Sequence, residues 1–129
     1  MKVSFDFDGT LSRKDVQEYA KELVGKGFEV WIVTSRVNTE TALKNGWHWI
    51  EKQNQDLYNV AEDCGIKREN IKFTDHVDKI VFLNGKNFKF HLDDDEIELI
   101  LIFESDDNCI PLNVGHSDWR EHCENVIES

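Results

Sequence analysis

The chain has 129 residues, 40% of them hydrophobic, with eight Phe and four Trp, which is enough for one folded domain with its own core. Fifteen basic against 26 acidic residues give a net charge of −11, which disfavours nonspecific attraction to nucleic acid or anionic lipid, and no run of about 18 apolar residues is present to span a membrane. Cys64, Cys109 and Cys123 are odd in number, far apart and without a C-x-x-C pair, so they read as reduced core residues; Met1 leads into a strand pattern rather than a signal peptide, which makes the cytoplasm the expected location.

Taken in order, "KVSFDF" at Lys2 to Phe7 alternates apolar and polar residues and predicts a first strand, with Asp6 and Asp8 on the same side of it. Ser12 to Gly27 predicts a helix: Val16, Tyr19, Ala20 and Leu23 fall at helical spacing, Ser12 is placed to cap the start, and Gly25 or Gly27 closes the end. Phe28 to Thr34 is apolar on both faces, as a buried parallel strand requires. A polar stretch with Trp47, His48 and Trp49 follows, to which no element is assigned. Gln55 to Gly65 then predicts a helix with Leu57, Val60, Ala61 and Cys64 on one face.

Ile71 to Thr74 is a short third strand, followed by a helix around Val77 to Leu83 that Asn84 and Gly85 end. Phe88 to Asp93 is the fourth strand and Asp95 to Asp107 the helix after it. Ile110 to Val114 is the fifth strand, where the sole proline, Pro111, suits a sheet edge, and Ser117 caps a last helix to Ser129. Five strands, each followed by a helix, predict an α/β fold of one domain, residues 1–129: a Rossmann-like three-layer sandwich around a five-stranded, mostly parallel sheet.

In such a sheet, ligands bind outside the carboxyl ends of the strands, near the switch point in strand order. Those ends carry Asp6 and Asp8, Thr34 and Ser35, and the run Asp93, Asp94 and Asp95, while Lys79 stands in the helix before the fourth strand. Carboxylates gathered there repel one another unless a divalent cation joins them, and hard oxygen ligands without His or Cys suit Mg²⁺. His76, His91, His116 and His122 lie in no ligand spacing and read as non-metal residues.

These residues resemble the haloacid dehalogenase-like superfamily of phosphatases. "FDFDGTLS" matches its first motif, hydrophobic residues followed by D-x-D-G-T; "VWIVTSR" is similar to the second, a strand ending in Thr or Ser; "FKFHLDD" is similar to the acidic fourth. The resemblance runs from Val3 to about Glu98 and takes Lys79 as the third-motif lysine, with Lys72 and Lys86 as alternatives. It implies that Asp6 attacks phosphorus to form an aspartyl-phosphate, and that Asp8 protonates the leaving group and then activates water. Relatives that attack carbon lack an acid at the second position, so Asp8 points to phosphoester chemistry.

The resemblance further implies Mg²⁺ held by the Asp6 side chain, the Asp8 carbonyl and Asp94, with Asp93 ligating directly or through water. Thr34 would donate to a phosphoryl oxygen, Lys79 would offset charge, and the turn at Gly9 and Thr10 would cradle the phosphate. A slip of one residue would replace Asp94 by Asp95; the alternation of Phe88, Phe90 and Leu92 favours Asp93 and Asp94. Arg36, beside Ser35, would grip the substrate beyond its phosphate.

Neither the segment after the first motif nor Ser35 to Ile71 is long enough for a folded cap of about 50 or more residues. The chain thus resembles capless members, whose open site suits a bulky phosphorylated partner or a small one sealed in by oligomerisation. "VTSR" is similar to the phosphatase half of polynucleotide kinases, though the net charge weighs against an extended polynucleotide. Trp47, His48 and Trp49 either pack their segment onto the domain or stack on a base or sugar. Two other readings are a non-catalytic phosphate- or metal-binding domain and a phosphate-accepting receiver using Asp75, although D-x-D-G-T on the first strand is not a receiver pattern.

Overall fold

The computed structural model describes residues 1–129 and contains β1 (Lys2–Phe5), β2 (Glu29–Thr34), β3 (Ile71–Phe73), β4 (Phe88–Asp93) and β5 (Ile110–Asn113). They form a single sheet in the order β3-β2-β1-β4-β5, and every pairing is parallel. The chain runs outward from β1 to β3, then returns to place β4 on the other flank of β1. The switch point therefore lies between β1 and β4, and a crevice opens at their carboxyl ends.

The helices are α1 (Lys14–Gly25), α2 (Thr39–Lys44), α3 (Trp49–Gln53), α4 (Gln55–Cys64), α5 (Lys79–Leu83), α6 (Glu96–Glu104) and α7 (Trp119–Glu128). One face of the sheet packs Val3, Phe5, Ile32, Phe90 and Leu92 against α1, α4 and α7 in a core of 20 buried residues, which carries most of the apolar burial. The other face has only five, Val33, Leu83, Phe88, Ile102 and Cys109, beneath α5 and α6. This makes a three-layer α/β sandwich, with polar residues able to sit under the thinner apolar layer. All three cysteines are buried free thiols, and burial pushes those of Cys109 and Cys123 up to about 12. No helix is long and apolar enough to cross a membrane.

Several sequence expectations change. The first strand stops at Phe5, because Phe7–Leu11 turns with i to i+5 hydrogen bonds, from the Leu11 N–H to the Asp6 carbonyl and from the Ser12 N–H to the Phe7 carbonyl. Asp6 and Asp8 consequently do not emerge together: Asp6 is 5% exposed, while the Asp8 side chain is 60% exposed. Ser12 does not cap α1; its Oγ accepts the Gly9 N–H, and the cap position is Arg13. Ser117 likewise yields the cap of α7 to Asp118.

The alternation of Phe88 with Phe90 and Leu92 is also broken. The pairing of β1 with β4 shifts between Lys2 opposite Phe88 and Ser4 opposite His91, a bulge that sends Phe88 to the thin face and Phe90 and Leu92 to the main core. The unassigned polar stretch forms α2, whose cap Asn38 accepts the Glu40 N–H, and then α3. Trp47 and Trp49 are 41% and 58% exposed, lie 6.5 Å apart by ring centroids and belong to neither buried cluster, so they do not pack this segment onto the core.

Candidate active site

At the carboxyl end of β1, Asp6 leaves the ladder after its N–H bonds the Leu92 carbonyl of β4. Its Oδ1 accepts a hydrogen bond from Lys79 Nζ at 2.7 Å, and its Oδ2 accepts one from Thr10 Oγ1 at 3.3 Å. Lys79, at the start of α5, is 2% exposed and donates equally to Asp93 Oδ2 at 2.7 Å. Of the three candidate lysines, Lys79 alone joins the first and fourth acidic segments. Its N–H donates to Glu98 of α6, which fixes the first turn of α5.

Asp93 accepts two further hydrogen bonds, from His91 Nε2 at 2.7 Å and from the Asp95 N–H at 3.0 Å. His91 and Asp93 are both fully buried, on the same face of β4. On β1, the Ser4 hydroxyl lies 2.8 Å from His91 Nδ1. Burial lowers the pKa of His91 despite its carboxylate neighbour, which favours the neutral ring. The tautomer with its N–H on Nε2 donates to Asp93 and leaves Nδ1 to accept the Ser4 hydroxyl, which also lies 3.4 Å from the Phe90 carbonyl. A buried chain from Ser4 through His91 and Asp93 to Lys79 and Asp6 results. His91 was missed at the sequence level, although its spacing of two from Asp93 along a strand was the available signal.

Asp94 remains with the site because Asp95 is taken as the α6 cap, accepting the Ile97 and Glu98 N–H groups. Carboxylate oxygens of Asp6, Asp93 and Asp94 lie within 4.8 Å of one another. The approach is tight: a Cβ on Gly9, whose φ is +77°, would lie 2.3 Å from Asp94 Oδ2. Three carboxylates face one ammonium. Burial, aided by the charge of Asp93, pushes the Asp6 carboxyl up to about 8 even with Lys79 beside it. Burial alone would raise Asp93 too, but its hydrogen bond from His91 and the charge of Lys79 hold it below the ordinary carboxylate range. Hard oxygen donors with surplus negative charge fit a divalent cation such as Mg²⁺.

Thr34 is fully buried at the end of β2, and its Oγ1 accepts the Arg36 N–H at 3.3 Å. The Ser35 carbonyl accepts the N–H of His76. Arg36 makes five hydrogen bonds within the protein: Nε and Nη2 to Asp8, Nη1 and Nη2 to Asp56, and Nη1 to the Gln53 carbonyl. Its guanidinium also lies 4.9 Å from the Phe7 ring, so every N–H is committed and the group orients Asp8. Arg36 also lines a cavity of about 310 Å³ with Val37, Ile50, Gln53, Asn54 and His76, so the guanidinium that pairs with Asp8 forms one wall of this hollow.

Trp47, His48 and Trp49 do not line that cavity. Asp75 accepts the Asn38 N–H and, like His76, has a positive φ, tying the loops after β2 and β3 together. The other competitors for the third-motif role, Lys72 and Lys86, both approach the ring of Phe82 instead. No family model, curated protein or solved structure matches this chain.

Proposed function

We propose that the chain is a Mg²⁺-dependent phosphatase that hydrolyses a phosphomonoester through an aspartyl-phosphate on Asp6. The observation that carries this reading is Lys79 Nζ lying 2.7 Å from both Asp6 and Asp93 while Asp94 closes over Gly9. Such an arrangement is costly for stability alone and is suited to a phosphate and a cation.

Asp6, Asp94 and the Asp8 carbonyl would hold Mg²⁺, whose charge keeps Asp6 ionised and neutralises the phosphoryl oxygens. Asp93, which already accepts three hydrogen bonds, orients Lys79 and would reach the cation through water. In the first half, an Asp6 oxygen bonds to phosphorus as the bond to the leaving oxygen breaks, and Asp8 delivers a proton to that oxygen. In the second, water attacks the same phosphorus, Asp8 takes the water proton, and Asp6 is released with inorganic phosphate. Thr34 donates its hydroxyl proton to a phosphoryl oxygen, and Lys79 offsets the charge on Asp6.

Arg36 holds Asp8 as an acceptor, the state required for taking a proton from water, and the proton taken there is the one Asp8 delivers to the leaving group of the next turnover. Turning toward the leaving group means loosening that pair. The cavity beyond Arg36 is the place for the leaving group. The test is hydrolysis of an aryl phosphate with Mg²⁺: Asp6→Asn should lower the rate by about 10³-fold or more, and chelation should abolish it. Equal rates for the native chain and Asp6→Asn would refute the nucleophile.

A further inference from the structure

The thin face of the sheet carries a second polar feature, separate from the Asp6 cluster. A cavity of about 290 Å³ is lined by Lys72 and Thr74 from β3 and its end, by Val77, Asp78, Val81 and Phe82 around α5, and by Lys86. Thr74 is 6% exposed, and its Oγ1 is the one buried side-chain polar atom without a hydrogen-bond partner. A hydroxyl left unpaired in a folded interior is a group waiting for a partner. Spacing of two along the strand puts Lys72 and Thr74 on the same face.

The two lysines are equally unusual. Their ammonium groups stand 5.6 Å and 4.4 Å from the centroid of the one Phe82 ring. Lys86 donates to the Phe82 carbonyl, yet neither lysine forms a salt bridge, in a chain with 26 acidic residues available. Asp78, on the same wall, pairs with neither. Val77 and Val81 are large apolar side chains left more than half exposed at the same cavity. Lys79 and Leu83, on the same helix, are buried, so this face of α5 turns away from the catalytic cluster.

We propose that this cavity is a binding site for a small organic anion with an apolar body, a carboxylate or a phosphonate-like head on a hydrocarbon or ring. The head group lies between Lys72 and Lys86 and accepts the Thr74 hydroxyl proton, while the body covers Val77, Val81 and Phe82. The anion then offsets the like charges that stand over one ring, and the orphan hydroxyl is paired. Binding here requires neither a divalent cation nor turnover.

The test titrates phenylacetate and benzylphosphonate into the native chain with EDTA present, which keeps metal-bridged binding away from the Asp6 cluster, and follows backbone amide shifts by NMR. Shifts should concentrate at Lys72 to Thr74 and Val77 to Lys86, and the tighter probe identifies the head group. Lys72→Gln and Lys86→Gln should each weaken binding by about tenfold, the ratio of a lost charge-assisted hydrogen bond. Thr74→Val should weaken binding while raising Tm, because it removes the unpaired hydroxyl. No shifts at about 10 mM probe, where a Kd below that range would register, or unchanged affinity in both lysine variants, would overturn the site. A raised Tm with unchanged affinity would overturn the part assigned to the hydroxyl.

Discussion

Lys79→Met is the substitution that most directly probes the acidic cluster, because its outcome depends on no reaction. Lys79 Nζ makes two hydrogen bonds of 2.7 Å to carboxylates that are 5% exposed or less. Removing one partner of a buried ion pair costs about 3–5 kcal/mol, since charge is left without compensation. With an unfolding entropy of about 2.1 cal/mol/K per residue over 129 residues, that converts to a fall in Tm of about 10–20 °C.

The assay is thermal unfolding in EDTA at pH 5 and pH 7. In the variant the stranded carboxylates hold protons more tightly when folded than when unfolded, so their penalty grows as pH rises and shrinks as it falls. Added Mg²⁺ should restore part of the loss. A loss below about 1 kcal/mol at pH 7, against the 3–5 expected for a buried pair, or an equal loss at both pH values, would show that Lys79 is not the counter-charge of the site.

In the metal-free native chain, Asp6 keeps its proton up to about pH 8, whereas the unfolded chain loses it near pH 4. Stability in EDTA should therefore decline between those values, by at most about 1.4 kcal/mol per pH unit, and saturating Mg²⁺ should flatten the slope. Asp93, held below its ordinary value, gives the opposite slope only below about pH 4. Urea titrations across the range will check both signs. Ser4→Ala leaves His91 Nδ1 buried without its donor and should cost about 1–3 kcal/mol, readable in the same titrations. Asp56→Ala removes two of the five hydrogen bonds on Arg36, and kinetics should show a greater fall in kcat for alkyl than for aryl phosphates, because only the former depend strongly on a well-placed acid.

The strands were legible because five apolar segments stand between clear turn signals, and β2 and β4 match their expected carboxyl ends at Thr34 and Asp93. Their polar ends were legible as well: Asp6, Lys79, Asp93 and Asp94 come together across 88 residues of chain. What sequence pattern could not convey was local. The bulge in β4 flips Phe88 relative to Phe90, and periodicity assumes an uninterrupted pleat. The wide turn after Phe5 separates Asp8 from Asp6, although strand alternation pairs them. His91 looked like an isolated histidine because its partner Ser4 is 87 residues away. Arg36 looked free to bind substrate because its two carboxylate partners, Asp8 and Asp56, lie on either side of it in the chain.

Gly9 stands in the opening motif, yet the atom that forbids a side chain there belongs to Asp94. The identity of one letter is thus dictated from a distant part of the chain, and the two positions form a single unit of variation. A shorter residue at 94 would relieve the collision and leave only the backbone strain of a positive φ, so Gly9→Ala should be less damaging in an Asp94→Ala background than in the native one. A library that randomises the first acidic segment while holding the other constant should favour glycine at this position for two separate reasons, the positive φ of the turn and the carboxylate of Asp94.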